Sequence, residues 1–142
     1  MMKHSLLLCS LLAACGDNGG ESVDAFVPAD ISQLDATPRE TITDTHTLAP
    51  GELIEGIMTA GPGDIVGIAL AAPTPDLEWN IHGHANGGTQ VVYEELDRMT
   101  VAYVFQPTAQ ADWYLLIRNG GTVNLTVELR ADLYGAAAWR YQ

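Results

Sequence analysis

The chain has 142 residues and a formal net charge of −12, from 18 acidic and 6 basic residues. A surface this acidic repels phosphate backbones and anionic headgroups, so nucleic acid is excluded as a partner. Both cysteines, Cys9 and Cys15, lie near the N-terminus. The remainder of the chain therefore has no disulfide and must fold on its hydrophobic core alone.

The N-terminal stretch MMKHSLLLCSLLAAC has the organisation of a secretion signal. Lys3 precedes an apolar run from Leu6 to Ala14, which is far shorter than the roughly 20 residues that span a bilayer. The pattern predicts a cleaved signal peptide over residues 1–14.

Residues 12–15, LAAC, resemble the lipobox of bacterial lipoproteins. The resemblance implies that Cys15 is lipidated and becomes the mature N-terminus, so that the protein's membrane partner is reached through this lipid. It also implies a location in the cell envelope, facing the periplasm or the exterior. Gly16 stands where some bacteria use aspartate for inner-membrane retention, which favours the outer membrane. An ordinary signal peptide with a chance cysteine is the alternative.

Residues 15–45 are rich in glycine, proline, aspartate and small residues, and no apolar period persists in them. Such a segment is too polar to bury a core, and its charge keeps it solvated. The composition predicts a disordered acidic linker that holds a domain away from the membrane. Only the last few of these residues are candidates for an ordered strand.

Residues 46–142 form a region long enough for one domain with a hydrophobic core. Short alternating apolar stretches are separated by glycine- and proline-rich turns, and no helical period is evident. About eight strands in this spacing predict an all-β fold, an antiparallel β-sandwich of the jelly-roll or Greek-key type. The predicted strands cover residues 45–48, 52–58, 65–71, 77–84, 89–95, 100–105, 113–118 and 122–130.

The last predicted strand alternates most regularly. Its residues Val123, Leu125, Val127 and Leu129 are predicted to face the core, while the residues between them face solvent. The preceding Asn119-Gly120-Gly121 favours a tight hairpin, because these residue types tolerate positive φ.

Three segments together resemble the GOLD domain and the related bacterial pre-peptidase C-terminal domain. They are the GPGD turn with its following strand (61–70), the tryptophan strand (77–81), and FQPTAQADWYLLIRNGGTVNLTVEL (105–129). Tyr114, Leu116 and Asn119 stand where those families have a Y-x-L strand with an asparagine, although Asp112-Trp113 replaces the usual glycine. The resemblance implies a small β-sandwich that acts as a non-catalytic binding or assembly module, and it assigns no catalytic residue.

The stretch WNIHGH contains His82 and His84, two of only 4 histidines in the chain. On a regular strand these residues lie on the face opposite Trp79, so they are predicted to be solvent-exposed, about 6.5 Å apart. A zinc or copper site needs three or four ligands, and the further candidates are Glu78 and Glu94, with His46 and Glu95 as additional possibilities. Two ligands are half a site, so we expect no metal and no other cofactor.

The domain contains few of the residue types that enzymes use as nucleophiles. Residues 46–142 contain no serine, cysteine or lysine, which excludes a serine or cysteine nucleophile and a lysine Schiff base. Composition leaves a paired-carboxylate hydrolase open, but the adjacent Glu94 and Glu95 are expected on opposite faces of their strand. The favoured function is therefore a non-catalytic envelope module with an envelope protein or a glycan as its partner. Metal binding at the His-x-His strand and carbohydrate binding are the alternatives. The candidate ligand-binding residues are Asn80, His82, His84 and Trp139. The competing interpretation of Trp139 and Trp113 is that both pack against the core.

Overall fold

A computed structural model describes residues 36–84 and 87–142. It consists of nine strands in two antiparallel sheets, which confirms the predicted β-sandwich. The strands are β1 (Glu40–Leu48), β2 (Leu53–Ala60), β3 (Ile65–Ala71), β4 (Leu77–Gly83), β5 (Gln90–Arg98), β6 (Thr100–Phe105), β7 (Ala111–Asn119), β8 (Leu125–Tyr134) and β9 (Ala138–Tyr141). No helix long and apolar enough to cross a membrane occurs in the described ranges. The predicted signal peptide, Cys15 and most of the predicted linker lie outside them.

The strand order differs between the two sheets. One sheet has four strands in the order β1-β8-β3-β6, and the other has five in the order β5-β4-β7-β2-β9. The edges of the sandwich are therefore β1 and β6 in the first sheet and β5 and β9 in the second. Strand β1 begins at Glu40, so residues 40–45 of the predicted linker pair with β8.

The core lies between the inner faces of the sheets, where alternate residues of each strand point inward. Trp79 is its largest fully buried side chain, with Leu77 and Ile81 on the same face of β4. The inward residues of β8 are Leu125, Val127, Leu129, Ala131 and Leu133, all of them buried. The predicted alternation of the last strand is thus confirmed from Leu125 onward.

Two details of this region were predicted wrongly. Val123 is 63% exposed and precedes the strand, because β8 begins only at Leu125. The Asn119-Gly120-Gly121 segment is not a hairpin, since β7 and β8 belong to different sheets and the chain crosses between the sheets there.

The side chain of Asn119 stabilises this crossing between the sheets. Its side chain is fully buried, and its Nδ2 donates to the carbonyl oxygens of Leu48 at 3.0 Å and Val123 at 2.7 Å. Its Oδ1 accepts from the backbone N–H of Gly121 at 2.9 Å. One amide therefore connects the end of β1 in one sheet to the end of β7 in the other.

The C-terminal residues add a ninth strand that was not predicted. Strand β9 pairs with β2, and Met58 lies opposite Trp139 in that pairing. Because Met58 is fully buried, Trp139 faces the core side of the sheet. A Cβ on Gly56 would come within van der Waals overlap of the Trp139 ring, so the missing side chain at position 56 makes room for it. Trp139 and Trp113 both pack against the core.

Candidate functional site

His82 is the centre of a polar cluster on the outer face of the five-stranded sheet. Strand parity predicts its face correctly, but it is only 4% exposed, which corrects the prediction of a solvent-exposed histidine. The pairing places His82 opposite Tyr114 on β7, and the two rings stack with centroids 5.3 Å apart and an interplanar angle of 12°. Alternation identifies the face of a residue but not the neighbour that covers it.

Both ring nitrogens of His82 face protein groups. Nδ1 lies 2.8 Å from Oδ1 of Asn80, on the same strand. Nε2 lies 3.6 Å from Oε1 of Glu55, which reaches it from β2 across the intervening β7. We call Glu55, Asn80, His82, His84 and Tyr114 the histidine cluster.

Burial is the main influence on the protonation of His82. Desolvation lowers its pKa below the ordinary value, the neighbouring Glu55 carboxylate acts in the opposite direction, and His84 lowers it further. A buried imidazole whose charged form is disfavoured is neutral at neutral pH. The geometry therefore assigns His82 a packing and hydrogen-bonding role inside the sheet face.

His84 differs from His82 in being exposed. Its ring packs edge-on against Tyr114, at a centroid distance of 4.5 Å, and against His82 at 5.1 Å. Its Nδ1 lies 3.4 Å from the hydroxyl of Thr89. Strand β4 ends at Gly83, so His84 is the first residue beyond the end of the strand.

The other candidate metal ligands are placed elsewhere. Glu78 forms an ion pair with Arg118 at 3.2 Å. Glu94 is exposed on β5, opposite Asn80. Within residues 36–84 and 87–142, no group of three or more histidine, cysteine, aspartate or glutamate side chains is suitably placed for a metal ion. Trp139 is also separated from the two histidines, because it lies on the core side of the same sheet.

A cleft of about 470 Å³ opens beside the cluster, at the end of the sandwich. We call it the end cleft. This volume is within the usual range of small ligand sites. His84 and Tyr114 belong to both the cluster and the cleft. The lining residues are Gly83, His84, Gln90, Thr108, Ala109, Ala111, Asp112, Trp113 and Tyr114.

Trp113 is the principal aromatic wall of the end cleft. It is half-buried, its Nε1 donates to the carbonyl of Ala60 at 3.3 Å, and its ring meets Phe105 edge-on at 5.3 Å. It pairs with Gly83 across β4 and β7, where an added Cβ would already be 3.3 Å from the ring. A second cleft of about 360 Å³ adjoins this one, because Gln90, Thr108 and Trp113 line both.

Asp112 supplies the carboxylate of the end cleft, and it is already engaged. It accepts from Arg140 at 2.6 Å and from Thr59 at 2.5 Å, and these two bonds hold its pKa below the ordinary value. The end cleft is therefore mainly apolar and aromatic, and its carboxylate is paired with Arg140.

Sequence reasoning did not find the end cleft or the role of Glu55. Trp113 was considered for packing against the core, which it does, but not as the wall of a cleft, and Glu55 was not a candidate. Glu55 is distant from His82 in sequence, and only the strand order β4-β7-β2 brings the two together. No sequence motif signals this arrangement.

The fold and this site define a small antiparallel β-sandwich with an open cleft at one end. No family model matches the chain, and no curated protein matches it in sequence.

Among solved structures, the chain is similar to the Yersinia pseudotuberculosis-derived mitogen, with a TM-score of 0.51 and 17% identity over 68% of this chain and 87% of that one. It is also similar to Aeromonas hydrophila PliG, a periplasmic lysozyme inhibitor of g-type lysozyme, with a TM-score of 0.49 and 8% identity over 66% and 86% of the two chains. The likeness to the mitogen shows a shared fold.

Proposed function

We propose that this chain is a lipid-anchored, non-catalytic binding module of the cell envelope, and that its binding site is the end cleft. The lipobox-like segment that ends at Cys15 supports the anchoring, and the GOLD-like and pre-peptidase-like residues of the domain support a module of this kind. The partner we propose is another protein of the envelope.

One observation supports binding in particular: an aromatic-walled cleft lies beside a histidine that is almost completely buried. A general base must reach a substrate proton, whereas His82 is only 4% exposed and its Nδ1 is hydrogen-bonded to Asn80. Residues 46–142 contain no serine, cysteine or lysine to act as a nucleophile. Trp113 and Tyr114, by contrast, are residue types enriched where proteins bind partners.

The proposed binding site can be tested by filling the end cleft with a large side chain. Thr108 is exposed and lines the cleft, so Thr108→Trp is expected to occupy it without disturbing the core. Thr122 is also exposed, but it lies in the β7–β8 connection at the other end of the sandwich, so Thr122→Trp is a matched control.

Full-length wild-type and variant proteins are immobilised and exposed to envelope extract, and the captured molecules are compared. We expect Thr108→Trp to lose capture and Thr122→Trp to retain it. Equal capture by both variants would show that the end cleft is not the site. Turnover of a substrate that depends on His82 would contradict the non-catalytic role.

A further inference from the structure

Strand β5 carries an unusual concentration of exposed apolar side chains. Among the described residues, seven large hydrophobic side chains are strongly exposed, and four of them belong to β5 or the residue that follows it. We call these four the β5 edge patch. They are Val91 at 50%, Val92 at 49%, Leu96 at 54% and Met99 at 47% exposure.

The β5 edge patch lies along an open edge of the sandwich. Strand β5 is the outer strand of the five-stranded sheet, next to β4 only. From Val91 to Met99 the strand extends about 26 Å, at about 3.3 Å per residue. At its beginning, Val91 and Val92 line the second cleft together with Phe105 and Trp113. Its first two residues therefore adjoin the aromatic wall of the end cleft.

Two irregularities give this edge its form. The pairing with β4 shifts register between Ile81 and His82, which leaves Val92 without a partner on β4. It shifts again between Leu77 and Trp79, where Leu96 and Asp97 form the bulge on β5. Asp97 has a φ of 56°, a backbone conformation rare for residues other than glycine. Bulges at an edge redirect side chains and prevent a long strand from pairing there. The edge is therefore shaped for contacts through side chains rather than for the addition of a strand.

The charges beside the patch indicate the nature of its partner. Strand β5 carries Glu94, Glu95 and Asp97 against Arg98, and the whole chain has a net charge of −12. Glu95 is held internally by Trp79 and Tyr93, each at 3.0 Å, whereas Glu94 and Asp97 are exposed. A second copy of this chain would bring the same negative charge to the interface. Rim charges of opposite sign speed association and suppress wrong partners.

We propose that the β5 edge patch docks a basic protein, whose apolar side chains cover Val91 and Val92 and enter the end cleft while its lysines and arginines face Glu94 and Asp97. This inference rests on the proposed binding function and adds the place and the kind of partner. An apolar centre surrounded by charged groups is the usual anatomy of such an interface.

Site-specific photo-crosslinking in cells tests the proposal with the full-length protein. A photo-reactive phenylalanine is placed at position 92, at position 96 or, as a control, at position 123. Val123 is an equally apolar and even more exposed residue, at 63%, and it lies in the β7–β8 connection, outside the patch and away from the end cleft. We expect positions 92 and 96 to crosslink to the same protein, of basic isoelectric point, and position 123 to give no such product.

An introduced charge provides the second measurement. Val92→Asp places a carboxylate among the apolar side chains at the beginning of the patch, where contact with the partner would strip it of water, and is expected to lower the crosslinking yield from position 96 by about tenfold or more. Val123→Asp is expected to leave that yield unchanged. Rising salt should lower the yield of the wild-type protein.

Four outcomes would overturn the inference: equal crosslinking from position 123, a second copy of this chain as the product, a partner that is acidic, or a glycan as the crosslinked species. A protein that crosslinks only at position 123 would overturn the inference but leave the binding function standing. Absence of crosslinks at all three positions, together with an unaffected Thr108→Trp variant, would overturn both.

Discussion

Replacing Asn119 should reveal how strongly one side chain connects the two sheets. Asn119→Ala removes three hydrogen bonds, to the carbonyls of Leu48 and Val123 and from the N–H of Gly121. Each such bond contributes about 1 kcal/mol net, so the free energy of unfolding should fall by about 3 kcal/mol. That is a large share of the roughly 5–15 kcal/mol typical of a domain.

Urea unfolding of the full chain measures this change. With a slope of about 1.5 kcal/mol per molar urea, the midpoint should fall by about 2 M at unchanged slope. Asn124→Ala is the matched control, since Asn124 lies close in sequence but is exposed, and its midpoint should shift little. Asn119→Asp keeps the shape and the acceptor but loses both donors, so it should not restore stability. If Asn119→Ala unfolds at the same urea concentration as Asn124→Ala, the role assigned to this amide is wrong.

Two further predictions concern His82 and Cys15. The pKa of His82 is lowered in the fold, so as the pH falls the unfolded chain binds a proton on this histidine first, near pH 6.5. Stability is therefore lost as the pH falls from about 6.5 through the lower pKa that His82 has in the folded protein. Urea unfolding between pH 7.5 and 5.5 should therefore show a smaller loss for His82→Gln than for the wild type, and parallel curves would contradict this. Cys15→Ala should abolish labelling by a fatty-acid probe and release the protein from the membrane fraction, whereas continued labelling would refute the proposed anchor.

The sequence predicted most of the strands, because their signals are local. Strand β6 was predicted with its observed limits, 100–105, since an apolar run there is bounded by a polar segment and by Gln106-Pro107. Residues 77–84 and 89–95 were both predicted as strands, and they form β4 and β5. Alternation and turn composition are sufficient for conclusions of this kind.

Features that depend on tertiary neighbours were not predictable in this way. Asn119-Gly120-Gly121 has the composition of a hairpin, but neither glycine adopts a positive φ. A Cβ on Gly120 would lie 2.4 Å from the carboxylate of Glu78, so a larger residue here would displace the end of that side chain. The burial of His82 likewise depends on Tyr114, which only the sheet order places over it. Sequence patterns do not contain this information.

The direction of β1 has a consequence for where the end cleft points. Glu40 is the first residue of β1 and pairs with Leu133 on β8. Across the same sheet, Leu133 pairs with Val66 and Val66 pairs with Phe105, whose ring packs against Trp113. The chain thus enters the domain at the same end as the cleft, and Arg39 is fixed there by a hydrogen bond to the carbonyl of Ala137.

If the proposed lipid anchors Cys15, the linker joins the domain at the end that carries the cleft. The 25 peptide steps from Cys15 to Glu40 allow a separation of at most about 90 Å, at about 3.5 Å per step. The anchored cleft could therefore reach a partner at any distance from the lipid surface up to that limit.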